Sequence, residues 1–215
     1  MRFADRREAG VLLGQAVAER RPVGPLVAAL PRGGVPIGFE VSRVLGCDLD
    51  VLVVRKVGVP FQPELAMGAV GEQGVVVRNR EVMRAAHISE AVFETVVSAE
   101  IAELEARVAI YRQVAEPIDP AGRTVIITDD GLATGSTALA AIDVARVEGA
   151  LEVWVAVPVA PSDSIARVEA EADQMVVLHR PHRFMAVGAW YRDFSQTTND
   201  EVRDLLRQSR PGYHS

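Results

Sequence analysis

VIITDDGLATGST, residues 125–137, is the stretch whose reading decides the fold. Val125, Ile126, Ile127 and Thr128 are all β-branched, which favours an extended strand, and their mostly apolar character suits a sheet buried on both faces. Asp129 and Asp130 end that strand. Gly131 to Thr137 hold two glycines and three hydroxyl side chains, and the Ala-rich run from Ala138 to Val147 has helical composition. A strand feeding a short loop that opens a helix is the unit from which α/β folds are built.

Free N–H groups at a helix N-terminus, backed by the positive end of the helix dipole, suit a phosphate dianion. Gly135 allows close approach, and Thr134, Ser136 and Thr137 add hydroxyl donors. Two carboxylates just upstream repel phosphate unless they face something else, and vicinal sugar hydroxyls donate well to carboxylates. A ligand with a diol at one end and a phosphate at the other meets both demands, and ribose 5-phosphate is such a ligand. An ordinary βα unit uses Asp130 as a turn residue and Thr134 or Ser136 as a cap, which explains one residue and not the set. A P-loop requires Lys after the second Gly, where this chain has Ser136, and the glycine spacing does not fit a dinucleotide fingerprint.

Working outward, Asp5 to Arg20 reads as an amphipathic helix, Leu26 to Leu30 as a strand, residues 37–45 as a helix and Leu49 to Val54 as a second strand, a βαβ unit. Leu65 to Val70 and Gly74 to Val77 flank a polar turn and read as a hairpin, suited to a mobile flap over about residues 56–80. Residues 89–113 form the longest predicted helix, with Val92, Val96, Ile101, Leu104, Val108 and Tyr111 near helical spacing. After residue 150 come a strand (Val153 to Val157), a helix (Ser162 to Ala172, opened by a Ser or Asp cap), a strand (Gln174 to Leu178) and a tail from about residue 180, with a closing helix near Asp200 to Arg207. The alternation argues a doubly wound parallel sheet in one domain, residues 1–215.

Composition narrows the function. The chain has 215 residues, is 49% hydrophobic and carries a net charge of −6, enough for a full core and without the global basic field that draws proteins to nucleic acid or anionic membrane. Cys47 is the only cysteine and reads as core, which excludes an internal disulfide and a cysteine-rich zinc site and suits a reducing, cytoplasmic setting. No stretch is long and apolar enough to span a bilayer. His179 and His182 read as exposed loop residues rather than metal ligands. Among 23 basic residues Lys56 is the sole lysine.

The run of strand, two acids, short turn and Ala-Thr-Gly-Ser-Thr resembles the PRPP-binding motif of type I phosphoribosyltransferases. RKVGVP, PELAMGAV and WYRDF extend the likeness over most of the chain, to a subgroup of that family whose acceptor the motif does not fix. The resemblance implies that Asp129 and Asp130 hold the ribose hydroxyls of 5-phosphoribosyl 1-pyrophosphate (PRPP) and that Ala133, Thr134, Gly135, Ser136 and Thr137 hold its 5′-phosphate. Pro31-Arg32-Gly33-Gly34 offers a guanidinium and glycine amides, an anion nest, and resembles the family's pyrophosphate loop, where the bond before Arg32 is expected to be cis. Arg55-Lys56-Val57-Gly58 resembles the start of the flexible loop, with Asp48 and Asp50 near enough in sequence to pair with it; a compact ammonium at Lys56 suits a departing pyrophosphate. Catalytic roles are thereby implied for Asp129, Asp130, Arg32 and Lys56.

By the same resemblance, the chain transfers the phosphoribosyl group to a nitrogenous base or other nucleophile with release of pyrophosphate, in nucleotide salvage or synthesis. Mg2+ is held mainly through PRPP itself, since the sequence shows no oxygen cage, and the assembly is a homodimer. Ala133 stands where 6-oxopurine enzymes carry Asp, which argues against hypoxanthine or guanine and leaves adenine- and orotate-type acceptors open. Trp190, Tyr191 and Phe194 form either a hood that stacks on a planar base or a plug of the core. Glu64 has no assignable role beyond packing. The rival to the enzyme is a non-catalytic PRPP-binding sensor or regulator.

Overall fold

The computed structural model describes residues 2–210. Five strands form a wholly parallel sheet: β1 (Pro25–Ala29), β2 (Asp48–Val51), and, after an insertion, β6 (Thr124–Thr128), β7 (Glu152–Val159) and β8 (Gln174–His179), in the spatial order β2-β1-β6-β7-β8. Register runs Val27↔Ile126 and Ile126↔Trp154 across the centre. The insertion is a separate antiparallel sheet of β3 (Arg55–Val59), β4 (Gln62–Val70) and β5 (Val76–Arg78).

Side chains alternate between two buried faces, as strands covered on both sides must. Val27, Ala29, Ile126 and Trp154 face one apolar cluster, and Ala28, Leu30, Val125, Ile127, Val153 and Val155 face the other. The first face is covered by α1 (Arg6–Ala18) and α2 (Gly34–Leu45), the second by α5 (Ser136–Val147) and α6 (Ser162–Glu169). Each fully buried Ile or Val contributes about 1.5–3 kcal/mol of transfer free energy, so the central strands dominate the favourable side. Asp5 caps α1 by accepting from the Glu8 N–H at 2.9 Å. Gly10 and Gly14 let α1 lie close on α2: a Cβ at Gly10 would come within 2.8 Å of the Ile37 carbonyl oxygen.

The doubly wound parallel sheet is as the sequence implies, and so are most elements. The differences are local. β2 stops at Val51, and Arg55 to Val59, read as the opening of a loop, is a strand that pairs with β4 in register Lys56↔Ala69. A short α3 (Arg80–Ala85) precedes α4 (Glu90–Arg112). The buried stripe of α4 is Phe93, Val97, Leu104 and Tyr111, while Val92 is exposed: the apolar positions read from sequence were one residue out of phase in the first turns. α6 stops at Glu169 and has no Ser or Asp side-chain cap, because the cap position is Pro161, whose side chain has no acceptor. α7 (Asn199–Gln208) packs Val202, Leu205 and Leu206 into the core. The end of the predicted tail, residues 211–215, lies outside the described residues.

Candidate active site at the switch point of the sheet

In chain order the strand sequence is 2-1-3-4-5, which reverses direction between β1 and β6; open α/β sheets place ligands at that point, outside the carboxyl ends of the strands. The loop after β1 is Pro31–Gly33 and the loop after β6 is Asp129–Gly135, so the two anion-binding candidates stand side by side. The Leu30 N–H donates to the Thr128 carbonyl at 2.9 Å, holding their roots together. A cleft of about 400 Å³ opens there, lined among others by Pro31, Arg55, Lys56, Arg107, Asp129 and Thr137. Two further clefts, of about 460 and 700 Å³, contain none of the site residues singled out from the sequence.

The loop before α5 is shaped to present donors. Gly135 takes the left-handed conformation, φ 76°, which a β-branched residue adopts only under strain. Ser164 Oγ donates to the Ala133 carbonyl at 2.7 Å and Arg167 Nη2 to the Thr134 carbonyl at 2.6 Å, so α6 pulls the loop's carbonyls outward. The N–H groups of Ala133, Thr134, Gly135, Thr137 and Ala138 reach no protein acceptor among the described residues. Thr134 Oγ1 and Ser136 Oγ lie 3.0 Å apart. Five free amides with two adjacent hydroxyls make an anion cradle.

Asp129 and Asp130 stand at the edge of that cradle. Burial raises the pKa of both, and the charge of Asp130 raises Asp129 further. Arg6 opposes this: its Nε and Nη2 both donate to Asp130 Oδ2, at 3.0 and 2.8 Å. Asp129 Oδ1 accepts from the Asp130 N–H at 2.8 Å. Asp129 Oδ2 and Asp130 Oδ1 accept from nothing among the described residues, which leaves one free oxygen on each acid.

Across the cleft, the Pro31–Arg32 peptide bond is cis, as the resemblance implied. A Cβ at Gly33 would strike the Asp130 carboxylate and one at Gly34 the Thr128 carbonyl, so neither position takes a side chain without displacement of the site. The Gly34 N–H already donates to the Leu30 carbonyl at 3.0 Å, and Gly34 therefore serves close packing rather than the anion nest expected of it. Arg32 has no ion pair among the described residues.

The flap cations differ from the expectation. Lys56 Nζ pairs at 3.1 Å with Glu64 on the neighbouring strand β4, which gives Glu64 the partner its sequence context did not reveal. Arg55 pairs with Glu100 of α4, and with Glu103 at 3.8 Å. Asp48 and Asp50 face away from Lys56, toward Arg123 (2.8 Å) and Arg112 (2.7 Å) respectively.

Within the aromatic cluster Tyr191 is closed off, Trp190 is half-buried and Phe194 is 37% exposed. Tyr191 is 4% exposed, lies against Phe3 (5.5 Å between centroids) and Phe194 (5.1 Å), and donates its hydroxyl to the Asp130 carbonyl at 2.6 Å. Burial, and then the charge of Asp130, push its phenol pKa up. Phe194 lies under the Arg6 guanidinium at 3.9 Å, and Trp190 packs on His179 at 4.5 Å. Cys47 is half-buried rather than fully in the core, and burial pushes its thiol up to about 11.

A family model described as a phosphoribosyl transferase domain matches residues 12–188, which span both anion loops and the flap. The chain belongs to the phosphoribosyl transferase family. A Mycobacterium tuberculosis H37Rv protein with a provisional phosphoribosyl transferase name is 49% identical over 204 residues, covering 95% of this chain and 46% of that protein; the chain thus spans about half the length of the curated relatives it matches. The crystal structure of TT1426 from Thermus thermophilus superposes with a TM-score of 0.93 at 42% identity, over 97% of this chain and 99% of that one. A Neisseria gonorrhoeae protein crystallised with bound ppGpp shares the fold, with a TM-score of 0.50 at 12% identity over 98% of this chain and 99% of that one.

In this phosphoribosyl transferase family member, four residues of the candidate site have no signal in the sequence. Arg6 arrives from the first helix, Ser164 and Arg167 from α6, and Arg107 from α4, where it lines the cleft without an ion pair among the described residues. Each acts across more than 30 positions or from a solvent-facing helix turn, where arginine is unremarkable. Only the i, i+3 spacing of Ser164 and Arg167 places them on one helix face, and nothing local shows what that face meets. Among the described residues, no helix is long and apolar enough to cross a membrane.

Proposed function

We propose that the cleft binds PRPP and transfers its 5-phosphoribosyl group to a nitrogenous base or another nucleophile, releasing pyrophosphate. The observation that carries this reading is the adjacency of two carboxylates, each with a free oxygen, to five unengaged amides at the start of α5. Two acceptors suit vicinal ribose hydroxyls and the amide cradle suits the 5′-phosphate. The Arg32 loop and Lys56 then lie on the side where the anomeric pyrophosphate departs, with Arg107 on the cleft wall as a third cation.

The protein's part in such a transfer is electrostatic and positional. Asp129 and Asp130 orient the ribose and favour the positive charge that develops at the anomeric carbon. Arg32, Arg107 and Lys56 stabilise the departing anion, the last by exchanging Glu64 for a phosphate oxygen. The β3–β4 hairpin excludes water, which limits hydrolysis. Beside the acidic pair, Mg2+ would be held mainly through PRPP's own oxygens and water, with Asp129 and Asp130 as the nearby carboxylates. It supplies charge neutralisation to the leaving pyrophosphate.

A second reading, a PRPP sensor without turnover, draws support from the engaged flap cations and from the burial of Tyr191, which removes one of the predicted stacking rings from the cleft. Calorimetric titration with PRPP, with and without Mg2+, beside ribose 5-phosphate and phosphate, tests the shared part. Saturable binding that needs the whole ligand supports both readings, and pyrophosphate release on addition of a base then selects the enzyme. Absence of PRPP binding by folded protein refutes both.

A further inference from the structure

Arg6 and Asp130 are 124 residues apart, yet their contact is among the most enclosed ion pairs of the molecule, with side chains 11% and 15% exposed. The guanidinium is itself held on three sides. Its Nη1 donates to the Ser195 carbonyl at 2.7 Å, the Phe194 ring covers its face at 3.9 Å, and its backbone sits in the first turn of α1, one turn before the Gly10 contact with α2. Both bonds to the acid end on Oδ2, so the guanidinium turns Oδ1 free rather than occupying the whole carboxylate.

We propose that Arg6 is a positioning residue for the ribose-binding acids, holding Asp130 ionised and in one orientation, and that the segment 191–195 serves the site by holding Arg6. The proposal rests on the ribose reading of the acidic pair. Its logic is chemical. A diol donates to a carboxylate that accepts, and two buried neighbouring acids tend to retain a proton between them, which converts one acceptor into a donor. A guanidinium stays charged at any working pH, so it favours the doubly ionised pair without itself titrating. Facing Asp130 are Arg6 from α1, Asp129 from its own loop and the Tyr191 phenol from the C-terminal segment; the Gly33 backbone lies against it, and Asp193 faces Arg6. Arg6 is the one cation in that set.

A merely structural tie between the first helix and the sheet makes a different forecast, because its loss lowers melting temperature without moving a titration. The test is 13C NMR of aspartate carboxyls in the ligand-free protein across pH, for wild type, Arg6→Met, Arg6→Lys and Phe194→Leu, with PRPP calorimetry at about pH 6 and about pH 8.5. In Arg6→Met the Asp130 midpoint is expected to rise by about one unit or more, and PRPP affinity to fall about tenfold or more at the lower pH and to recover at the higher one. Arg6→Lys, which keeps the charge, is expected to restore most of the titration. Phe194→Leu, which uncovers the guanidinium, is expected to shift the midpoint in the same direction by less.

An unchanged Asp130 midpoint in folded Arg6→Met overturns the proposal. If that variant does not fold, an unchanged midpoint in Phe194→Leu does so. If wild type binds no PRPP at either pH, the ribose reading fails by itself, and the carboxyl titration still decides whether Arg6 sets the charge of Asp130.

Discussion

The two walls of the cleft are built on opposite plans. On the sheet wall, the loop after β6 rests on buried neighbours: α6 restrains the Ala133 and Thr134 carbonyls, and five amides of the loop and the first turn of α5 have no acceptor among the described residues. On the flap wall, the cations have partners, Lys56 on Glu64 and Arg55 on Glu100. Glu64 is 81% exposed at its side chain, and exposed pairs are worth about 0–1 kcal/mol. The comparison separates a preformed binding surface from one whose charges a ligand can exchange at small cost. That division suits a reaction in which ribose 5-phosphate stays fixed while pyrophosphate leaves.

The largest expected effect breaks the connection between the walls. Arg112, at the end of α4, donates to Asp50 at the end of β2 at 2.7 Å and to Glu72, just after β4, at 2.8 and 2.9 Å. Arg112→Met leaves the buried Glu72 without its cation and Asp50 with only the longer Arg210 contact at 3.4 Å, and a loss of about 3 kcal/mol or more in denaturant unfolding is expected. A change below about 1 kcal/mol would show that the flap base does not depend on this pin.

Next comes the sheet wall itself. Asp129→Asn combined with Asp130→Asn removes two charged acceptors, each worth about 1.5–3 kcal/mol to a hydrogen bond, so PRPP affinity is expected to fall by about two orders of magnitude with the circular dichroism spectrum unchanged. Wild-type affinity in this variant means that the ribose lies elsewhere. Ser164→Ala frees the Ala133 carbonyl at a cost of about 1 kcal/mol, which predicts a roughly fivefold weaker grip on ribose 5-phosphate and phosphate alike. Equal affinity for both ligands before and after would show that α6 does not shape the cradle.

The smallest effects belong to the flap. Lys56→Ala is expected to lower turnover more than PRPP affinity, since its target is the leaving group; equal losses would point to plain ground-state binding. Glu64→Ala is expected to change either quantity by less than about threefold, in keeping with an exposed pair. A larger loss would make Glu64 part of the site and erase the contrast between the walls.

What the sequence disclosed follows from how local each signal is. The strand, acids, loop and helix of residues 125–137 are contiguous, so their local geometry is set by neighbours in the chain, and the structure places that strand, loop and helix at the switch point. The Pro31–Gly34 turn was legible for the same reason, except that the Gly34 amide is engaged by Leu30, a detail of the turn that composition does not carry. Arg6, Arg107, Ser164 and Arg167 were invisible because a lone Arg or Ser on a helix has no local pattern, and its partner is set by packing. Tyr191 could be read as hood or plug because burial of an aromatic depends on what lies beneath it, and the ring that Tyr191 meets, Phe3, is nearly the whole chain away. On α4 the alternation of small and large apolar residues allowed a one-residue slip in register, which only the contact with β3 and β4 resolves.

Near the two ends of the described chain, Phe3 and Tyr191 form a parallel bridge, with the Arg192 N–H donating to the Phe3 carbonyl at 2.8 Å and the Asp193 N–H to the Ala4 carbonyl at 2.9 Å. During synthesis Arg6 emerges before Asp130, and Asp130 before Phe194 and Ser195. The enclosure of Asp130 is therefore a long-range closure, completed only after residue 195 has followed residue 130, and its entropic cost grows only slowly with the span enclosed. Without residues 194 and 195 the Arg6 guanidinium lacks the ring and the carbonyl that hold it over Asp130.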